Sequence, residues 1–477
     1  MVTRSLPSSL AAAEAEFGRR YPDYESTRPL DQLRATEYAR LDRLGHIYLD
    51  YTGGGLYADA QVRLHQELLR QNVFGNPHST NPTSLAATEL VERARRAVLE
   101  FFNAAADEYG VIFTSNASGA LKLVGESYPF GPGGRYLLTF DNHNSVNGIR
   151  EFARAKGAAV IYTAVVPPDL RLDAARLEAN LQARSAQAPS LFAYPAQSNF
   201  SGVQHALEWV ARAQTLGWDV LLDAAAFAPT NRLDLSVVHP DFVSLSFYKM
   251  FGYPTGVGAL IARRAALAKL RRPWFAGGTI EVASVQGDKF YFHEGPEAFE
   301  DGTLDYLALP AVEIGLRHLA AIGVDAIHTR VTCLTDWLLG ELTSLRHSNG
   351  APLVRVYGPT TTVARGGTVT MNFYGSDGRF LDHRLVESRA NARRISLRTG
   401  CFCNPGGGEL ALGISAEELT SCFLTHNRMT LDEFRRCIDD KSTGAVRVSV
   451  GLVSTLADVA QLVDFARGFL DKRAEEV

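Results

Sequence analysis

A single lysine, Lys249, stands among aromatic and small residues in the run Ser244-Leu245-Ser246-Phe247-Tyr248-Lys249-Met250-Phe251-Gly252-Tyr253-Pro254-Thr255-Gly256, directly after an apolar stretch that reads as a buried strand. Burial lowers a lysine pKa and frees the neutral amine for Schiff-base chemistry with an aldehyde. Taken alone, the same residue also fits a snorkelling surface lysine. Other apolar runs end in polar residues that such a lysine would meet. The turn Thr114-Ser115-Asn116-Ala117-Ser118-Gly119 follows VIFT and opens a helix, so it offers backbone N–H groups and small hydroxyls to an anion such as phosphate, or else an ordinary helix cap. His143 lies in the turn after YLLTF, where an imidazole can stack on a flat ligand or move a proton, or simply face solvent. Asn199 follows FAYP, and Asp223 ends VLLD. A carboxylate in that place either caps the next turn or keeps a heteroaromatic nitrogen protonated through a charge-assisted hydrogen bond. In an open parallel sheet these strand ends face one crevice, which is where ligands bind.

A second chemical feature is the stretch Arg398-Thr399-Gly400-Cys401-Phe402-Cys403-Asn404-Pro405-Gly406-Gly407-Gly408. A thiolate is a strong nucleophile, and the proline and glycines predict an irregular loop able to bring it to a substrate and take it away. Two other readings stand beside this one: Cys401 and Cys403 joined by Cys422, His426 and Cys437 around zinc, against which the Cys-x-Cys spacing counts, and a pair of buried structural thiols.

The elements that must position these groups are legible as an alternation. From residue 110, short β-branched runs (VIFT, YLLTF, AAVIYTAVV, SLFAYP, DVLLD, FVSLSF, GALIA) alternate with amphipathic stretches. That pattern predicts an α/β fold, a mostly parallel sheet with helices on both faces. Helical spacing over 58–71 and 84–103 precedes it, with Gly53-Gly54-Gly55 as a loop. Beyond Leu309 come two helical stretches, strands near VRVYG and GTVTMNF, a last strand AVRVSV and a closing helix, which predict a smaller α+β unit. The expected division is a helical segment over 1–45 that packs with the small unit, a large unit over 46–309 and a small one over 310–477.

Taken together, the turn after residue 114, His143, Asn199, Asp223, Ser246 and Lys249 resemble in order and spacing the pyridoxal-phosphate site of the class V aminotransferase and cysteine desulfurase family, from about Ile47 to Thr455. Within it, SFYKMFGYPTGVGALIA, LRTGCFCNPG and TGAVRVSVGLVST look most like the N-terminal domain of molybdenum cofactor sulfurases. The resemblance implies fold type I of the pyridoxal 5'-phosphate enzymes. It implies that Lys249 holds the cofactor covalently and moves the substrate Cα proton, and that Asp223 keeps the ring nitrogen protonated. His143 would stack on the ring and act as acid or base, and Asn199 would bind the ring hydroxyl or the substrate. Ala117, Ser118 and Ser246 would hold the phosphate, joined by Thr303 from a partner subunit, which implies a homodimer. Arg447 would clamp the substrate carboxylate. Cys403 would be the catalytic cysteine, with Cys401 its companion, taking sulfur from L-cysteine to leave L-alanine and a persulfide for an acceptor protein or small molecule.

Departures from the family are Tyr248 before the lysine, Ala226 in place of a glutamine, and Gly408 where sulfurases often carry a further cysteine. The chain reaches Val477 without the C-terminal domain of full-length eukaryotic sulfurases, which leaves the acceptor open. Other class V reactions, a C–S lyase, a selenocysteine lyase or an aminotransferase, would use Lys249 without Cys403. A cofactor-bearing scaffold would use neither for turnover.

Composition bounds these readings. With 477 residues, 46% hydrophobic and 21% charged, the chain is neither disordered nor a small disulfide scaffold. A net charge of −4 gives no global field for nucleic acid. Five cysteines, no apolar run of membrane-spanning length and no signal-like N-terminus predict a cytoplasmic protein with no membrane partner.

Overall fold

The alternation of β-branched and amphipathic stretches folds as its periods dictate in the computed structural model, which describes residues 8–477 except 78, 185–187, 426–428, 431–432, 434–436 and 438–443. In chain order the strands are β1 (Ile47–Tyr48), β2 (Tyr109–Thr114), β3 (Arg135–Thr139), β4 (Ala159–Thr163), the hairpin β5 (Val165–Val166) and β6 (Arg171–Leu172), β7 (Ser190–Pro195), β8 (Asp219–Asp223), β9 (Phe242–Ser246), β10 (Gly258–Arg263), the hairpin β11 (Ile280–Ser284) and β12 (Lys289–Phe292), β13 (Val354–Tyr357), β14 (Thr368–Phe373), β15 (Ile395–Ser396), β16 (Arg398–Gly400) and β17 (Ala445–Ser449).

Seven strands form the large sheet in the order β2-β10-β9-β8-β7-β3-β4. All run parallel except β10, which is antiparallel to both of its neighbours. Strands β7, β8 and β9 are buried along their whole length, as near-continuous apolar runs in a sheet covered on both faces must be. The carboxyl ends of β2, β3, β7, β8 and β9 therefore lie along one edge. Because β10 runs the other way, its first residue, Gly258, reaches the same edge, opposite Thr114 and Ser246. A Cβ at Gly258 would stand 2.6 Å from the Asn116 backbone, so the residue is held to glycine by close approach.

The predicted run AAVIYTAVV is broken. Its first part, β4, joins the large sheet, whereas β5 pairs with β6 and is ended by Pro167 and Pro168, which lack the N–H groups to continue the ladder. A four-stranded antiparallel sheet, β13-β14-β17-β16, carries Arg447 and leads into the cysteine stretch. Between the sheets run the helices Leu309–Ile322 and Val324–Ser344. The N-terminal helices are fixed by ions: buried Arg34 pairs with Asp458 at 2.6 Å, and fully buried Arg330 pairs with Asp31 at 2.7 Å and donates to the Thr27 carbonyl. Among the described residues no helix is long and apolar enough to cross a membrane.

The helix Leu309–Ile322 supports the turn that carries Lys249. A Cβ at Gly315 would fall 2.2 Å from the Phe251 ring. Gly315→Ala should therefore cost about 1–3 kcal/mol by overpacking, read as a lower urea midpoint with an unchanged denaturant slope.

Candidate active site

Each polar group at the sheet edge is placed by the strand it closes. A cavity of about 170 Å³ is lined there by Asn116, Ala117, Ser118, His143, Gln197, Asn199, Asp223, Ser246, Tyr248 and Lys249 among others. Lys249 sits in the short helix Phe247–Phe251 that follows β9. Its amine makes no hydrogen bond or ion pair among the described residues, and burial pushes it below the ordinary lysine value against the opposing pull of Asp223. Neutral amine is thus available at a lower pH than for a solvated lysine.

Asp223 is 9% exposed. One of its oxygens accepts from Ser244 Oγ at 3.0 Å and from the Ala225 N–H at 3.1 Å. The other has no partner among the described residues. His143 caps the turn after β3, its Nδ1 accepting from the Ser145 N–H at 3.1 Å, which leaves Nε2 to the cavity. Burial pushes the imidazole below its usual pKa despite Asp223, so the neutral ring is favoured. Across the cavity the helix Ala117–Ser127 begins: Ala117 N–H donates to Ser246 Oγ at 2.9 Å, and Ser118 and Ser145 share a hydrogen bond of 2.6 Å. The N–H groups and hydroxyls at a helix N-terminus make a receptor for an anion, which would take these donors over from their internal bonds.

The cysteine stretch packs onto this edge. Asn199 is the junction: its Nδ2 donates to the Phe402 carbonyl at 2.8 Å, its Oδ1 accepts from Asn404 Nδ2 at 2.9 Å, and its own carbonyl accepts from Arg447 at 3.0 Å. Asn144 N–H donates to the Cys403 carbonyl at 2.7 Å. Phe402 and Cys403 both have φ of 55°, a left-handed conformation that costs a non-glycine residue about 1–3 kcal/mol and turns the Cys403 side chain outward. Cys403 is exposed and close enough for its charge to act on Lys249, Tyr248 and Arg447. Cys401 is exposed as well.

The structure differs from the sequence reading in several places. The glycines after Cys403 do not form a loop. Pro405–Leu412 is a helix capped by Asn404, whose Oδ1 accepts from Gly407 N–H at 3.0 Å. Glycine is needed there for contact rather than looseness: a Cβ at Gly406 would lie 2.0 Å from the Phe140 carbonyl oxygen. Arg447, expected as the carboxylate clamp, does not line the cavity itself; it is 3% exposed, between Phe402 and Asp50, behind Asn199, and burial pushes its guanidinium down to about 10. Cys422 and Cys437 form a disulfide with each other, which removes both from a set of ligands with Cys401 and Cys403, while His426 lies outside the described residues. Apart from these differences, Thr303, whose expected place is at the cofactor of a second copy, borders a separate cavity of about 430 Å³ with Thr114, Ser115, Gly119 and Gly256 and does not line that of Lys249 in its own chain.

Two residues of the site were not foreseen. Gln197 lines the cavity and accepts from Gln204 at 3.1 Å. Asp50 joins Arg447 at 3.2 Å to Arg398 at 2.8 Å. The signal for Asp50 was present, an apolar run closed by an acid as in VLLD, but the run is short.

The model of the class V aminotransferases matches residues 47–462. The chain is 37% identical to the molybdenum cofactor sulfurase of Solanum lycopersicum, over 94% of this chain and 58% of that protein. It is also 37% identical to that of Homo sapiens, over 96% of this chain and 54% of that protein. It thus spans little more than half the length of these relatives. The apo cysteine desulfurase from Thermococcus onnurineus NA1 superposes with a TM-score of 0.75 at 24% identity, covering 92% of this chain and 97% of that one. The architecture is that of fold type I of the pyridoxal-phosphate-dependent transferases.

Proposed function

Because the chain belongs to the class V aminotransferase family, we propose that it is a pyridoxal 5'-phosphate-dependent cysteine desulfurase of the molybdenum cofactor sulfurase type, which turns L-cysteine into L-alanine and keeps the removed sulfur as a persulfide on Cys403. One observation carries the reading: an exposed thiol stands within electrostatic reach of a desolvated, unpartnered lysine and of a buried arginine.

The residues at the cavity fit the cofactor. Lys249 has a free amine, Asp223 an uncommitted oxygen, and the turn at Asn116–Ser118 a helix N-terminus. When bound, pyridoxal phosphate supplies an aldehyde for the amine and an electron sink for charge developing at the substrate Cα. Lys249 would hold the cofactor and carry the Cα proton. Asp223 would keep a proton on the ring nitrogen through a charge-assisted hydrogen bond. Ser118, Ser246 and the Ala117 end of the helix would hold the phosphate, joined by Thr303 of a second copy in a homodimer. His143 would face the ring, its neutral Nε2 able to take or return a proton. Asn199 would orient the ring hydroxyl or the substrate, and Arg447 would receive the substrate carboxylate. The Cys403 thiolate attacks the substrate sulfur: the S–S bond forms as the Cβ–S bond breaks, and Cβ takes up a proton to become the methyl group of alanine.

The large unit, residues 46–309, supplies the lysine and the small unit, 310–477, the thiol, with the segment before residue 46 bracing the latter. The persulfide passes to an acceptor protein or small molecule. A cytoplasmic location belongs to the same reading. The test is intact-protein mass spectrometry of the holoenzyme after L-cysteine, followed by peptide mapping. One added sulfur on the peptide at Cys403 is expected; sulfur on Cys401, or on neither thiol, overturns the mechanism.

A further inference from the structure

Arg447 is the most constrained ion at the site. Its guanidinium lies 4.7 Å over the Phe402 ring, one terminal nitrogen donates to the Asn199 carbonyl at 3.0 Å, and the other donates to Asp50 at 3.2 Å. Its Nε is buried and has no hydrogen-bond partner among the described residues. A buried N–H without an acceptor costs about 1–3 kcal/mol, which a ligand oxygen would recover. A guanidinium has five N–H donors, so after Asn199 and Asp50 are served three remain, enough for a carboxylate.

Asp50 is what fixes the direction of that remaining fork. It comes from the end of β1, bridged to Ser449 on β17, and is itself nearly buried. Besides Arg447 it accepts from Arg398 Nε at 3.0 Å and from a terminal nitrogen of Arg398 at 2.8 Å, so one carboxylate separates two like charges. The backbone makes room for it: a Cβ at Gly53 would stand 2.5 Å from an Asp50 oxygen and 2.7 Å from Arg398. Arg398 opens β16, which runs directly into Cys401 and Cys403. The same anion thus braces the arginine behind the cavity and the root of the thiol segment.

We propose that Asp50 is a positioning residue for recognition of the substrate carboxylate: by holding one edge of Arg447 it fixes the free N–H groups of that guanidinium behind Asn199, which lines the cavity, and so makes the site select an α-amino acid over an amine without a carboxylate. The proposal rests on the desulfurase reading above and on Arg447 as the carboxylate receptor. With Asp50 neutral, Arg447 and Arg398 face each other unscreened, and Arg447 turns away.

The holoenzyme is compared with Asp50→Asn using L-cysteine and 2-aminoethanethiol, which has the same amine and thiol but no carboxylate. The KM for L-cysteine should rise about ten- to thirtyfold with kcat changed less than about threefold, and the parameters for 2-aminoethanethiol should stay within about twofold. Calorimetric titration with L-alanine should show the same loss of affinity, which a general structural defect would not confine to the acid. Asp50→Glu, which keeps the charge but moves it by one methylene, should show the same split reduced to about threefold, and it serves if the Asn variant does not fold. Equal losses on both substrates, or an unchanged KM for L-cysteine, would overturn the role of Asp50. Arg447→Ala separates the two layers of inference. If it raises the KM for L-cysteine and Asp50→Asn does not, only the positioning role fails; if it leaves that KM unchanged, the carboxylate reading of Arg447 fails.

Discussion

Replacing Lys249 by alanine is expected to abolish covalent retention of pyridoxal phosphate and to lower sulfur release from L-cysteine by about 10³-fold or more, since one amine is asked both to hold the aldehyde and to move the Cα proton. The absorbance of the bound cofactor and its survival through borohydride reduction and gel filtration are the measurements. Wild-type protein should keep the label on the peptide containing Lys249, and the variant should lose it while retaining the same far-ultraviolet circular dichroism. The position of the amine makes the effect sharp. Desolvation favours its neutral form, and the described residues offer no second lysine in the lining of the cavity to take over. A variant that still bound the label covalently would place the chemistry elsewhere.

Cys403→Ala is the complementary case. Retention of the cofactor on Lys249 should be unchanged, whereas alanine formation and persulfide should fall by about 10³-fold, because among the described residues no other thiol is anchored to the sheet edge by the Asn144 bond that holds residue 403. Cys401→Ala should lose less than about tenfold: that residue is exposed and, among the described residues, makes no hydrogen bond to Asn144 or Asn199. Alanine quantified by amine derivatisation, together with sulfide released by a reductant, distinguishes the two variants. Equal losses in both would make the thiols a functional pair. Full activity in Cys403→Ala would move the protein toward the lyase chemistry, which needs the amine alone.

Much of the site was legible because each of its groups closes an apolar run, and in a parallel sheet the ends of such runs meet. Lys249, Asp223, His143, Asn199 and Ser246 were found in that way, and they line one cavity. Asp50 escaped because β1 has only two residues, too few to announce a strand, and because its partners are hundreds of positions away in sequence. The helix after Asn404 was misread for a different reason. Three successive glycines lower helix propensity, and nothing in their order reveals that Phe140 presses so closely on Gly406 that a side chain there would collide. Arg447 was singled out on its strand, but the sequence does not reveal that the Phe402 ring lies over its guanidinium. Cysteine pairing was beyond reach, since spacing alone does not fix which thiols join.

The two hydrogen bonds that Asn144 and Asn199 make to the carbonyls of Cys403 and Phe402 have a kinetic meaning. For the backbone of residues 402 and 403 to swing away from the sheet edge, both must open in concert, and at about 1 kcal/mol net each the docked pose outnumbers the withdrawn one roughly thirtyfold. Such a latch fixes the exposed thiol in one place for most of the time. Movement of the segment then waits on rare excursions, and a partner that pries the latch open would shift it sooner than one that merely collides.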